Sequence, residues 1–122
     1  MLEWLLEVAG DFLGDLFESG AEVVGIHLEG PFLCVAKKGA QNADFLHEPD
    51  VAMLRRLNEA SEGCVKLVTV APEEPNGIEF IREAVKDGIT VSLGHTIANY
   101  DIASEAYAAG ASHATHLYNG MP

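Results

Sequence analysis

Short runs of β-branched and aliphatic residues recur along the chain, and a stretch with helical spacing follows each of them. Glu22–Leu28 (EVVGIHL), Val65–Val70 (VKLVTV), Ile89–Leu93 (ITVSL) and Ser112–Leu117 read as strands. Pro49 opens a helix to Ala60 as a first-turn proline. Ile78–Lys86 and Asp101–Ala109 read as helices that stop at Gly88 and Gly110. Ahead of the first strand, Leu2, Leu5, Leu6, Ala9, Phe12, Leu13, Leu16 and Phe17 recur at helical spacing. Strands alternating with helices in this way lie parallel and are joined by right-handed crossovers, which makes the fold class α/β.

The chain has 122 residues, of which 48% are hydrophobic, enough to bury a core. That is the size of one domain, 1–122, but about half of the roughly 250 residues that close a (β/α)₈ barrel. Seven basic residues against 19 acidic ones give a net charge of −12, which disfavours nucleic acid and polybasic attachment to a membrane surface. No apolar run is long enough to span a membrane, and Glu3 and Glu7 interrupt what would otherwise resemble a signal peptide. Cys34 and Cys64 have no metal-ribbon or redox spacing. A cytoplasmic protein with reduced thiols is expected.

Parallel α/β folds bind ligands where their strands end. The first strand ends in Glu29, the third runs into Gly94-His95-Thr96, and the fourth reaches Thr115-His116. Glu29, His95 and His116 each belong to a residue type that is ordinary at a strand end. Together, one carboxylate and two imidazoles make a common set for a catalytic metal with a position left open for water. His27 shares a strand face with Glu29 and reads as a buried, hydrogen-bonded histidine or as a partner orienting a ligand. His113 reads as packing or surface, Lys37 and Lys38 as an anion contact or a solvated pair, and Cys34 as an ordinary thiol. Glu73 and Glu74 read as an acid–base pair or, more commonly, as caps of the helix that follows.

His27-Leu28-Glu29-Gly30-Pro31-Phe32, Lys37-Lys38-Gly39-Ala40, Ala71-Pro72-Glu73, Gly94-His95-Thr96 and Thr115-His116-Leu117-Tyr118-Asn119-Gly120-Met121-Pro122 follow one another in this order. From about Val23 to Pro122 the chain closely resembles the N-acetylglucosamine-6-phosphate deacetylase family of the amidohydrolase superfamily. The resemblance implies a partial (β/α)₈ barrel of about four parallel strands. It implies that Glu29, His95 and His116 hold a divalent metal, Zn²⁺ first and Fe²⁺, Mn²⁺ or Co²⁺ as alternatives. It also implies substrate contacts from Ala40, Gln41, Asn119 and Gly120, and hydrolysis of the N-acetyl amide of an amino-sugar phosphate to give glucosamine 6-phosphate and acetate.

The family's catalytic Asp lies on the last barrel strand, which these residues do not reach, so the isolated chain is expected to be inactive. It is also expected to self-associate through open barrel edges or to form a homo-oligomer. Ile97 stands where the family usually has a polar residue, and Gln41 stands where some members have His. Three other readings share parts of this pattern: a non-catalytic metal-binding or structural remnant, an amidohydrolase with another substrate, and a doubly wound α/β binding domain. The last requires a strand order with a topological switch point.

Overall fold

The computed structural model describes residues 23–122. The helix expected over Leu2–Phe17 and the Glu22 start of the first strand lie outside them. Four strands, β1 (Ile26–Glu29), β2 (Val65–Val70), β3 (Thr90–Leu93) and β4 (His113–Ala114), form one sheet in the order β1-β2-β3-β4. Every neighbouring pair is parallel. Among the described residues the order never reverses, so they contain no topological switch point and do not support the doubly wound alternative.

Helices α1 (Val51–Ala60), α2 (Gly77–Lys86) and α3 (Tyr100–Ala108) connect or follow the strands as the alternation requires. Pro49 does not open α1. The cap is Asp50, whose side chain accepts from the Met53 amide at 3.0 Å, so the proline lies just outside the helix. Asn99 caps α3 in the same way through the Ile102 amide.

The two faces of the sheet differ in chemistry. Val68, Val70, Val91 and Leu93 pack with Phe80, Ile81 and Ala84 of α2, Leu54 of α1 and Ala106 of α3 in one buried cluster. Phe32, from the loop after β1, closes this core against Phe80 with ring centroids 4.7 Å apart. On the other face, Glu29, Thr69, Ser92 and His113 are register partners across all four strands.

A hydroxyl chain links that row. Thr115 Oγ1 lies 2.7 Å from both Thr69 Oγ1 and Ser92 Oγ. His27 Nε2 is 2.7 Å from Thr69 Oγ1. His27 is therefore hydrogen-bonded as expected, but it is exposed rather than buried: it stands on the edge strand β1, whereas Thr69 and Ser92 in the middle of the same face are buried.

β4 is much shorter than the expected Ser112–Leu117. The Thr115 amide still donates to the Leu93 carbonyl, and then the chain turns, with His116 at φ +33°. With the Thr115 side chain tied to β2 and β3, the next residue leaves the strand path.

Candidate metal centre

The site lies at the C-terminal ends of β1, β3 and β4. Glu29 is the last residue of β1 on the open face. His95 is the second residue beyond β3 and His116 the second beyond β4. His95 Nε2 is 2.9 Å from Glu29 Oε1, His116 Nε2 is 3.1 Å from the same oxygen, and the two Nε2 atoms are 3.0 Å apart. The rings meet nearly edge to face, at 83°. The three residues expected as ligands, separated in sequence, thus converge on one point.

Both histidines sit in left-handed backbone conformations, His95 at φ +50° and His116 at φ +33°. Such conformations cost a non-glycine residue about 1–2 kcal/mol, so neighbouring contacts must hold them. Cys34 donates its amide to the His95 carbonyl at 3.0 Å, and the Thr96 amide donates to the Gly120 carbonyl at 3.0 Å. Gly94 lies so close to β2 and the segment after β4 that a Cβ there would be 2.8 Å from Thr115 Cβ and 3.0 Å from Thr69 Cγ2.

The other ring nitrogens fix the tautomers. His95 Nδ1 lies 2.7 Å from the Lys37 carbonyl, and His116 Nδ1 lies 2.8 Å from the Asn119 carbonyl. A carbonyl only accepts, so each Nδ1 carries the hydrogen and each neutral imidazole presents an Nε2 lone pair. With hydrogens also on Nε2 the two imidazoles donate to the Glu29 carboxyl and hold it below its ordinary range, with the His95 contact contributing most, burial opposing and His116 adding to it. Two imidazole lone pairs and a carboxylate oxygen within 3.1 Å of one another repel unless a cation lies between them. The donor set therefore fits a divalent ion, with the carbonyl partners orienting the rings as such ligands need.

The expected substrate residues occupy the two loops bordering this point. Ala40 is exposed, and Gln41 donates from Nε2 to the Glu29 carbonyl at 3.1 Å, which pins its loop to the end of β1. Asn119 is exposed, apart from its carbonyl on His116. At Gly120, with φ +65°, a Cβ would be 3.2 Å from the His116 ring. Lys37 joins the loops: its carbonyl meets His95 and its Nζ is 3.4 Å from the Met121 carbonyl. Lys38 Nζ contacts the Gln41 carbonyl at 3.1 Å. His113 is exposed, and its side chain makes no hydrogen bond to the ligand set.

No family model matches the chain. An N-acetylglucosamine-6-phosphate deacetylase from Bacillus subtilis (strain 168) is 45% identical over 102 residues, covering 84% of this chain and 26% of the relative. One from Danio rerio is 45% identical over 105 residues, with the same shares. A mutant N-acetyl-D-glucosamine-6-phosphate deacetylase from Mycobacterium smegmatis, solved in complex with N-acetyl-D-glucosamine-6-phosphate, superposes with a TM-score of 0.88. It is 36% identical, covering 99% of this chain and 31% of that one. The chain is homologous to part of the N-acetylglucosamine-6-phosphate deacetylases. It spans about a quarter of the length of the curated relatives it matches.

Two features of this segment escape sequence reasoning. The first is the pair of backbone carbonyls that set the imidazole tautomers, since a carbonyl leaves no mark in a side-chain pattern. The second is Glu73. It neither caps α2 nor pairs with Glu74. Its Oε2 accepts from the Thr96 hydroxyl and its Oε1 from the Ile97 amide at 2.6 Å. The only signal was its place in Ala71-Pro72-Glu73 at the end of β2. Cys34 behaves as an ordinary thiol, since burial pushes its pKa up and keeps it protonated.

Proposed function

We propose that this segment forms the metal-holding side of an active site that hydrolyses the N-acetyl amide of an amino-sugar phosphate, releasing acetate and the free amine. The convergence of Glu29 Oε1, His95 Nε2 and His116 Nε2 within 3.1 Å carries this reading. Homology to those deacetylases supplies the substrate class. A divalent ion, Zn²⁺ before Fe²⁺, Mn²⁺ or Co²⁺, would polarise the acetyl carbonyl and make water more acidic there.

The chain's own part is to hold and to orient. Glu29 supplies the anionic ligand, and the carbonyls of Lys37 and Asn119 keep Nε2 of each histidine free of hydrogen. Ala40, Gln41, Asn119 and Gly120 would line the sugar through the two bordering loops. With one Gln41 donor spent on the Glu29 carbonyl, its amide oxygen and second hydrogen remain for substrate.

The described cysteines, Cys34 and Cys64, are unpaired, and no helix of the described residues is long and apolar enough to cross a membrane. Both observations support a cytoplasmic setting. β1 and β4 are the sheet edges among the described residues, so we expect copies of the chain to associate there.

The test is acetate release from N-acetylglucosamine 6-phosphate and its unphosphorylated form, with and without Zn²⁺, alongside bound metal per chain. Stoichiometric metal lost in Glu29→Gln is expected. Turnover restricted to the phosphorylated sugar would support the full reading. Metal without turnover would leave a metal-binding segment, and no metal would overturn the proposal.

A further inference from the structure

We propose that Glu73 is a positioning residue for His95: it clamps the turn that holds the His95 ring in line with Glu29 and His116. The inference rests on reading those three residues as metal ligands. His95 needs support, because it combines a left-handed backbone at φ +50° with a side chain only 8% exposed. The residues after it are where that support is applied.

Both oxygens of the Glu73 carboxylate serve this one turn. Oε2 accepts from the Thr96 hydroxyl and Oε1 from the Ile97 amide at 2.6 Å. The Thr96 oxygen in turn accepts from the Ala98 amide at 2.9 Å, which extends the grip over three consecutive residues. On the other side, the Cys34 amide holds the His95 carbonyl and the Gly120 carbonyl holds the Thr96 amide. Among these contacts on the turn, Glu73 is the one side chain reaching in from another strand end.

The topology explains why that side chain comes from β2. Glu29 and His95 belong to β1 and β3, and β2 lies between those strands. Ala71 and Pro72, the residues linking β2 to Glu73, are both buried. A carboxylate on this anchored stalk can fix the distance between the end of β2 and the turn beyond β3. Nothing in the clamp depends on the Ile97 side chain, because the contact is to its amide. A polar residue is therefore not needed at that position for the turn to hold.

The full 122-residue chain and its Glu73→Ala, Glu73→Gln and Thr96→Val variants would be titrated with Zn²⁺ against a chromophoric chelator. Long-range ¹H–¹⁵N spectra of the metal-free imidazoles would be recorded alongside. Glu73→Ala is expected to weaken Zn²⁺ binding by about 10–100-fold, as losses of ligand-orienting partners do. It should also average the His95 signal, which in the parent reports hydrogen on Nδ1. Glu73→Gln keeps one acceptor for the Ile97 amide and a donor for the Thr96 oxygen, so it should restore most of both readouts.

Thr96→Val removes one limb of the clamp and should move both readouts in the same direction by less. It stands in for Glu73→Ala if that variant does not fold. Parental Zn²⁺ affinity together with an unchanged His95 spectrum in the alanine or valine variant would overturn the proposal. If the parent binds no Zn²⁺, the metal reading fails by itself and the imidazole spectrum still decides the clamp: averaged in Glu73→Ala supports it, unchanged overturns it.

Discussion

His95 and His116 show how much of the candidate metal centre is made by groups other than its candidate ligands. Each ring is turned by its own backbone into the left-handed region and locked by a carbonyl on Nδ1, from Lys37 and Asn119. Space is equally tight behind them. A methyl on Gly94 would meet Thr115 Cβ at 2.8 Å and Thr69 Cγ2 at 3.0 Å, and both of these threonines are tied into the hydroxyl chain. Gly94→Ala should therefore cost about 1–3 kcal/mol, the usual range for overpacking a close-fitted site, read from urea denaturation of the metal-free chain. A stability equal to the parent's would show that the strand ends shift freely.

At this scale the convergence of the candidate ligand types was legible, because carboxylate and imidazole at neighbouring strand ends have few other shared uses. The Glu73 clamp was not. A carboxylate just ahead of a helix suggests a cap, and only the tertiary approach of β2 to the turn after β3 redirects it to Thr96 and Ile97.

Among the elements, α2 links the core to the site. Phe80 packs on Phe32, which belongs to the loop that delivers Lys37 to His95. Across its outer side, Arg55 of α1 reaches Asp87 at 2.7 Å and Glu83 at 2.8 Å. The Arg55 contact holds both carboxyls below their ordinary range, and Lys86 adds to the effect. The unfolded chain then takes up protons first as pH falls through about 4, and stability declines there. The contribution is present above that pH and lost below the folded values.

Arg55→Met should thus be slightly less stable than the parent at pH 7, and the gap should narrow as pH falls below about 4 and shrink in high salt. Denaturation midpoints at pH 7 and pH 3 check this, and an undiminished gap at pH 3 would count against it. The order of elements and most of their bounds could be read from hydrophobic spacing. The length of β4 could not, because Ser112–Leu117 has the composition of a strand while hydroxyl contacts from Thr115 to Thr69 and Ser92 turn the chain after Ala114. His27 was misjudged for a related reason: alternation shows which residues share a face, not whether anything covers it.

For the molecule as a whole, the candidate ligands come from three of the four strands, so a bound ion would tie the sheet together. Zn²⁺ at a hundredfold excess over its dissociation constant should raise the unfolding free energy by about 2.7 kcal/mol by mass action. Glu29→Gln should abolish that gain. Urea titrations in Zn²⁺ and in EDTA measure it, and equal gains in parent and variant would place the ion elsewhere.

The same three contacts also have an order in time. His95 and His116 are 21 positions apart, but Glu29 is 66 from the first and 87 from the second. Closing loops of that length is slow compared with pairing neighbouring β–α units. The Glu29 corner should therefore close after the two histidines have met. A chain released from denaturant would offer an incomplete site until β1 docks, and uptake of metal would mark the end of folding rather than its start.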